Sequence, residues 1–146
     1  MATPEDRVVL GSFLRPRGPI RLALTKNATP ELTVLELAGE LDVLTAARLG
    51  VELDCEVRQR GGDVVVDLRQ ADYVDSAGMH VLLNAHRRLA RQGRSFAVVC
   101  RPGPVRRAFE LAKLIETLGV VPSVREYRRR AQARAAAGAA SGRLGI

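Results

Sequence analysis

The chain has 146 residues and a formal net charge of +7. Hydrophobic residues make up 47% of it, enough for one core, but aromatics are only 3% and Trp is absent, so Val, Leu, Ile and Ala must build that core. No apolar run approaches the roughly 18 residues that span a bilayer, and no contiguous apolar leader opens the chain, so a soluble, cytoplasmic single domain is expected.

Residues 1–19 include Pro4, Gly11, Pro16, Gly18 and Pro19. They read as a flexible arm in which Val8-Val9-Leu10 could pair on a sheet edge. Ile20 to Leu24 alternates as a strand does. A turn cluster at 26–30 separates it from a second strand, Leu32 to Leu37, so the two suggest a hairpin. Thr45 or a neighbour caps a helix to about Arg58, with Ala46, Leu49, Leu53 and Val57 on its inner stripe. Gly61-Gly62 ends that connection, and Val64 to Leu68 is a buried strand. A second helix runs to about Gln92, with Met79, Leu82, Leu83, His86 and Leu89 inward and Asn84, Arg87, Arg88 and Arg91 outward. Gly93 suits its C-terminal cap. Phe96 to Cys100 is a fourth strand, Pro104 opens a helix carrying Val105, Ala108, Phe109 and Ala112, and Leu118 to Val121 leads into a last short strand. This alternation implies helices packed on a mixed sheet.

The charge is not spread evenly. Residues 125–146 hold six Arg and one Glu, whereas residues 20–124 hold 14 basic and 13 acidic side chains. The folded region is nearly neutral, which argues against a basic DNA-binding face, and no direct DNA binding is expected. The Arg128-Arg129-Arg130 run and the Ala-rich text after it read as a disordered or loosely helical tail. Two cysteines make neither a disulfide framework nor a metal-ligand set, and both Cys55 and Cys100 are expected to be buried thiols. No cofactor or metal is implied.

The most informative stretch is Val74-Asp75-Ser76-Ala77-Gly78-Met79-His80, which joins a buried strand to an amphipathic helix. Ser76 falls at or beside the helix N-cap, where its oxygen can accept an orphan backbone N–H. That end of a helix also favours anions. A plain helix cap is one reading of this serine. A hydrolase nucleophile is a poor second, because the G-x-S-x-G elbow would need glycine at position 74, where Val74 stands, and no triad surrounds Ser76.

The order of two motifs carries a resemblance. Gly39-Glu40-Leu41-Asp42 follows a strand, and Asp75-Ser76-Ala77-Gly78 follows the next. Over roughly residues 20–124 the chain resembles the STAS domain of anti-sigma factor antagonists. In that family a G-E-L/I-D segment precedes a helix, and a D-S-S/T-G segment carries a regulatory phosphoserine.

The resemblance implies an α/β fold: a single STAS-like domain over 20–127, with a mixed four- to five-stranded sheet and three to four helices. The arm (1–19) and the tail (128–146) flank it. It implies that Ser76 is a phosphorylation site and that Asp42, Asp75, Ser76, Gly78, Met79 and His80 form a partner-binding patch. Ala77 stands where the family has Ser or Thr, and Met79-His80 replaces the common Leu-Gly. The implied partners are an anti-sigma factor, typically a serine kinase, and a phosphatase acting on phosphorylated Ser76. The implied function is non-enzymatic: the unphosphorylated protein binds the anti-sigma factor and frees a sigma factor. The alternative is a scaffold of the same fold that does not switch.

Overall fold

The structure, a computed structural model, describes residues 7–14, 20–59 and 61–144, with side chains described for 22–59 and 61–139. Nine elements follow in order: β1 (Arg7–Leu14), β2 (Ile20–Ala28), β3 (Leu32–Leu41), α1 (Ala46–Arg58), β4 (Asp63–Val74), α2 (Ser76–Arg91), β5 (Phe96–Val99), α3 (Pro104–Leu111) and α4 (Val124–Leu144). The strands form one five-stranded sheet in sequence order. β1, β2 and β3 are antiparallel neighbours, whereas β3, β4 and β5 run parallel. Hairpins can join the first three strands, but each parallel pair needs a helical crossover, and α1 and α2 supply them.

The period of two along the strands divides the apolar residues between two faces. Leu22, Leu24, Leu35, Leu37, Val64, Val66, Leu68, Phe96 and Val98 point into the main core. There they meet Leu49, Leu53 and Val57 of α1, Leu82, Ala85 and Leu89 of α2, and Val105 and Phe109 of α3. Leu32, Val34, Val65, Ala97 and Val99 point the other way and pack with Val121 and Tyr127. Val64 to Leu68 is apolar on both faces but for Asp67, as a central strand covered on both sides must be.

Differences from the sequence reading cluster at the ends. Residues 7–14, read as a flexible arm in which Val8-Val9-Leu10 could pair on a sheet edge, form the whole edge strand β1, paired with β2 from Arg7 opposite Asn27 to Leu14 opposite Ile20. The rest of the expected arm, residues 1–6 and 15–19, lies outside the described residues. The expected last strand is reduced to one isolated parallel bridge between Val99 and Val121.

The tail, read as disordered or loosely helical, forms the 21-residue helix α4. Its first turns are held from below: Val124, Tyr127 and Ala131 pack on the second face of the sheet, and the Tyr127 hydroxyl donates to Asp63 Oδ2 at 2.7 Å. Burial, reinforced by that bond, pushes the Tyr127 phenol well above its ordinary range. Packing of an anchored end supplies what composition alone does not. Residues 145 and 146 lie outside the described residues.

The cysteines also separate. Cys100 is buried as expected, but Cys55 is exposed because it lies on the outer side of α1. His86 is half-buried, with its ring 6.2 Å from that of Phe96.

Candidate functional site

The parallel strands β3 and β4 end side by side, with Leu41 opposite Val74. Both are followed by helices, so the β3–α1 loop and the start of α2 share one end of the sheet, where ligands and partners of open α/β sheets are commonly met.

The loop is built by Asp42 and Thr45. Asp42 is buried, and its Oδ1 accepts the N–H groups of Leu44 at 2.9 Å and Thr45 at 3.0 Å. Thr45 Oγ1 accepts the Asp42 N–H at 2.9 Å and donates to the Glu40 carbonyl at 2.7 Å. Thr45 is the N-cap residue of α1, as expected, but its hydroxyl serves this turn rather than the helix. The turn thus satisfies its own polar groups and leaves two apolar side chains outside: Val43 is 72% exposed and Leu44 56%.

The N-cap of α2 is Asp75, not Ser76. Asp75 Oδ1 accepts the Gly78 N–H at 3.1 Å, and its Oδ2 accepts the Val43 N–H at 3.2 Å. Its own N–H donates to the Leu41 carbonyl at 3.1 Å. One carboxylate therefore caps the helix and pins the loop. The two oxygens of the carboxylate lie far enough apart to accept from two segments at once, the α2 first turn and the β3–α1 loop.

Ser76 becomes the first residue of α2 and is exposed. No hydrogen bond to another described residue engages its hydroxyl. It stands at the positive end of the helix dipole, beside first-turn N–H groups that no helical carbonyl can satisfy.

The remaining predicted residues sort by depth. Gly78 is buried, and a Cβ there would lie 2.6 Å from Leu41 Cγ and 3.0 Å from the Leu41 carbonyl oxygen. Its lack of a side chain lets the first turn of α2 rest on the end of β3. Met79 is half-buried and packs on the main core. His80 and Asn84 are exposed along α2 and line a cleft of about 140 Å³ between α1 and α2 with Gly50, Asp54, Val81 and Arg88. The predicted patch therefore has an outer layer of Ser76 and His80 and a supporting layer of Asp42, Gly78 and Met79, with half-buried Asp75 between them.

Sequence reading did not single out Val43 and Leu44. The available signal was two consecutive large apolar residues in a turn position, between Asp42 and Thr45. Among the described residues no group of three His, Cys, Asp or Glu side chains could hold a metal ion, and no helix is long and apolar enough to cross a membrane.

The comparisons with known proteins agree with this geometry. Residues 23–127 match the family described as the STAS domain. The putative anti-sigma factor antagonist BtrV of Bordetella bronchiseptica is 31% identical over 103 residues, covering 70% of this chain and 88% of that protein. The anti-sigma-F factor antagonist RsfB of Mycobacterium tuberculosis is 30% identical over 86 residues, covering 59% of this chain and 70% of that protein. The crystal structure of an anti-sigma factor antagonist from Mycobacterium paratuberculosis has the same fold, with a TM-score of 0.65 at 21% identity over 86% of this chain and 94% of the other. With the paired motifs at one end of a mixed sheet and this similarity over most of its length, the chain belongs to the STAS domain family, beside relatives that are anti-sigma factor antagonists.

Proposed function

We propose that this protein is a cytoplasmic, non-enzymatic anti-sigma factor antagonist whose binding is switched by phosphorylation of Ser76. Unphosphorylated, it binds an anti-sigma factor that is also a serine kinase, and so frees a sigma factor for transcription. Phosphorylation ends the complex, and a phosphatase restores it.

The observation that carries this reading is the division of labour between Asp75 and Ser76. Asp75 performs the capping, so the exposed Ser76 hydroxyl is free to be modified without unmaking the helix end. A phosphate there adds about −1.5 to −2 charges. The helix N-terminus tolerates an anion. A partner seated on Val43, Leu44 and His80 would not, because the charge would lose water against apolar contacts and add to that of Asp75. A penalty of about 3 kcal/mol lowers affinity ~100-fold. The switch then needs electrostatics and desolvation at one point and no refolding.

The test is mass-mapped phosphorylation joined to binding measurements with the candidate anti-sigma kinases of the same genome. Wild type, Ser76→Ala and Ser76→Asp are compared. Modification of Ser76, with binding lost by Ser76→Asp and kept by Ser76→Ala, supports the switch. An unmodified Ser76 with equal binding by all three proteins rejects it in favour of a scaffold that does not switch.

A further inference from the structure

Helices α1 and α2 lie side by side on one face of the sheet, yet their outer surfaces differ. The outward residues of α2 are polar: His80, Asn84, Arg87 and Arg91 are all exposed. The outermost ridge of α1 is Ala47, Val51 and Cys55, also exposed, at successive i, i+4 spacing. Val51 alone is 54% exposed. A helix with one face buried in a core normally turns its charges to water on the other. Here, from Ala47 to Cys55, the charges sit on the flanks and are paired within the domain. Arg48 bridges to Glu52 at 3.0 Å on one flank, and Asp54 pairs with Arg88 of α2 on the other. The ridge between them is apolar, and at its N-terminal end it continues into exposed Val43 and Leu44.

We infer that this ridge is an apolar seat for the partner that reads Ser76, and that it takes an uncharged, apolar face of that partner. The inference rests on the function proposed above and extends its surface from the start of α2 along α1. Continuity supports it: the Val43 N–H is bonded to the carboxylate of Asp75, the residue next to Ser76, so the ridge and the serine border one loop. Between Ala47 and Cys55 the flanking charges are paired internally and ask for no counter-ion from the partner, and exposed Arg58 bounds the apolar stretch at its C-terminal end. A second copy of this chain is the less suitable occupant, because covering Val43 and Leu44 would also cover the hydroxyl that a kinase must reach. The surface then has two parts with different physics: one beside Ser76 that responds to charge, and one along α1 that does not.

The experiment measures the affinity of recombinant candidate anti-sigma factors from the same genome for wild type, Val51→Glu, Leu44→Glu, Ser76→Asp and Arg87→Gln. Thermal melts and light scattering accompany each protein. Val51→Ser replaces Val51→Glu if the charged variant does not fold. Val51→Glu and Leu44→Glu are expected to weaken binding on the order of 10-fold or more with unchanged melts, and Arg87→Gln to bind as wild type. Loss of binding by Ser76→Asp with wild-type affinity for Val51→Glu overturns the ridge and leaves the switch intact. Wild-type affinity for every variant overturns both, as does a wild-type protein that binds no candidate. A wild-type dimer that Val51→Glu dissolves without changing partner affinity reassigns the ridge to contact between copies and overturns the inference.

Discussion

Asp75 and Val43, 32 residues apart in sequence, are joined by a hydrogen bond of 3.2 Å from the Val43 N–H to Asp75 Oδ2. The other oxygen of the same carboxylate caps α2 through the Gly78 N–H. The loop after β3 and the helix after β4 are therefore positioned by one side chain. Replacing Asp75 by Ala removes both bonds and is expected to cost about 1–2 kcal/mol. Asn, which also caps well, should recover most of that loss. Urea denaturation of the three proteins checks it, and equal midpoints for Asp75→Ala and wild type would contradict the assignment.

Gly78 should resist even the smallest enlargement. The close approach of Leu41 leaves no room for a methyl group, and the opposing atoms include a backbone oxygen that cannot rotate away. Gly78→Ala is expected to destabilise by about 1–3 kcal/mol as the first turn of α2 lifts from β3. Gly138→Ala in α4, where an added Cβ meets nothing within 4 Å, provides the comparison. A melting temperature for Gly78→Ala equal to that of wild type would show that the helix end shifts freely.

The two thiols should react very differently. Cys55 is exposed on α1, whereas Cys100 is buried, and burial pushes its thiol up to about 11, with Arg106 opposing the shift. The thiolate is the reactive form, so near neutral pH almost none is present at Cys100. A chromogenic disulfide reagent should titrate one thiol in the native protein and the second only on unfolding. Two fast equivalents in the native state would contradict the burial of Cys100.

Helix α4 hangs on its first turns, and two side chains test this. Tyr127→Phe removes the bond to Asp63 and should cost about 1 kcal/mol. Hydrogen exchange would then show faster opening in residues 124–131 than in α2.

Glu126 tests the same end of α4 by pH. Hydrogen bonds from Arg129 and Arg130 hold its carboxyl down at about 2. A lowered carboxylate value means that the contribution is complete above the unfolded value of about 4.3 and is lost as pH falls through the folded one. Helix content from α4 should therefore persist to lower pH in wild type than in an Arg129→Ala, Arg130→Ala double variant. Superimposable acid titrations by circular dichroism would contradict the role of these pairs.

Much of this architecture was legible in order along the chain. The strand alternation at Ile20–Leu24, the doubly apolar Val64–Leu68 and the inner stripes of α1 and α2 all reflect periodicities of 2 and 3.6, which each segment states locally. The paired motifs at Gly39–Asp42 and Asp75–Gly78 lie together at the end of the sheet where β3 and β4 finish side by side. Pro104 and Gly93 acted as the local start and stop signals they resembled, Gly93 with a φ of +71° just beyond α2.

What the sequence could not decide were competitions between neighbours and contacts between distant segments. Ser76 and Asp75 are both good capping residues; in the fold Asp75 takes the cap, and its second oxygen meets the Val43 N–H, a contact no local pattern contains. Asp42 carries a charge that composition places near the surface, but its own turn buries it. Cys55 is apolar enough for a core, yet the core side of α1 was already filled by Leu49, Leu53 and Val57. The order in α4 depends on Tyr127 reaching Asp63, 64 residues away, and no local pattern contains that distance. By itself the sequence determined the elements from β2 to α3, their order and the motif that names the family. The tertiary structure decided which polar groups are spent on holding this end of the sheet together and which, Ser76 first among them, are left exposed.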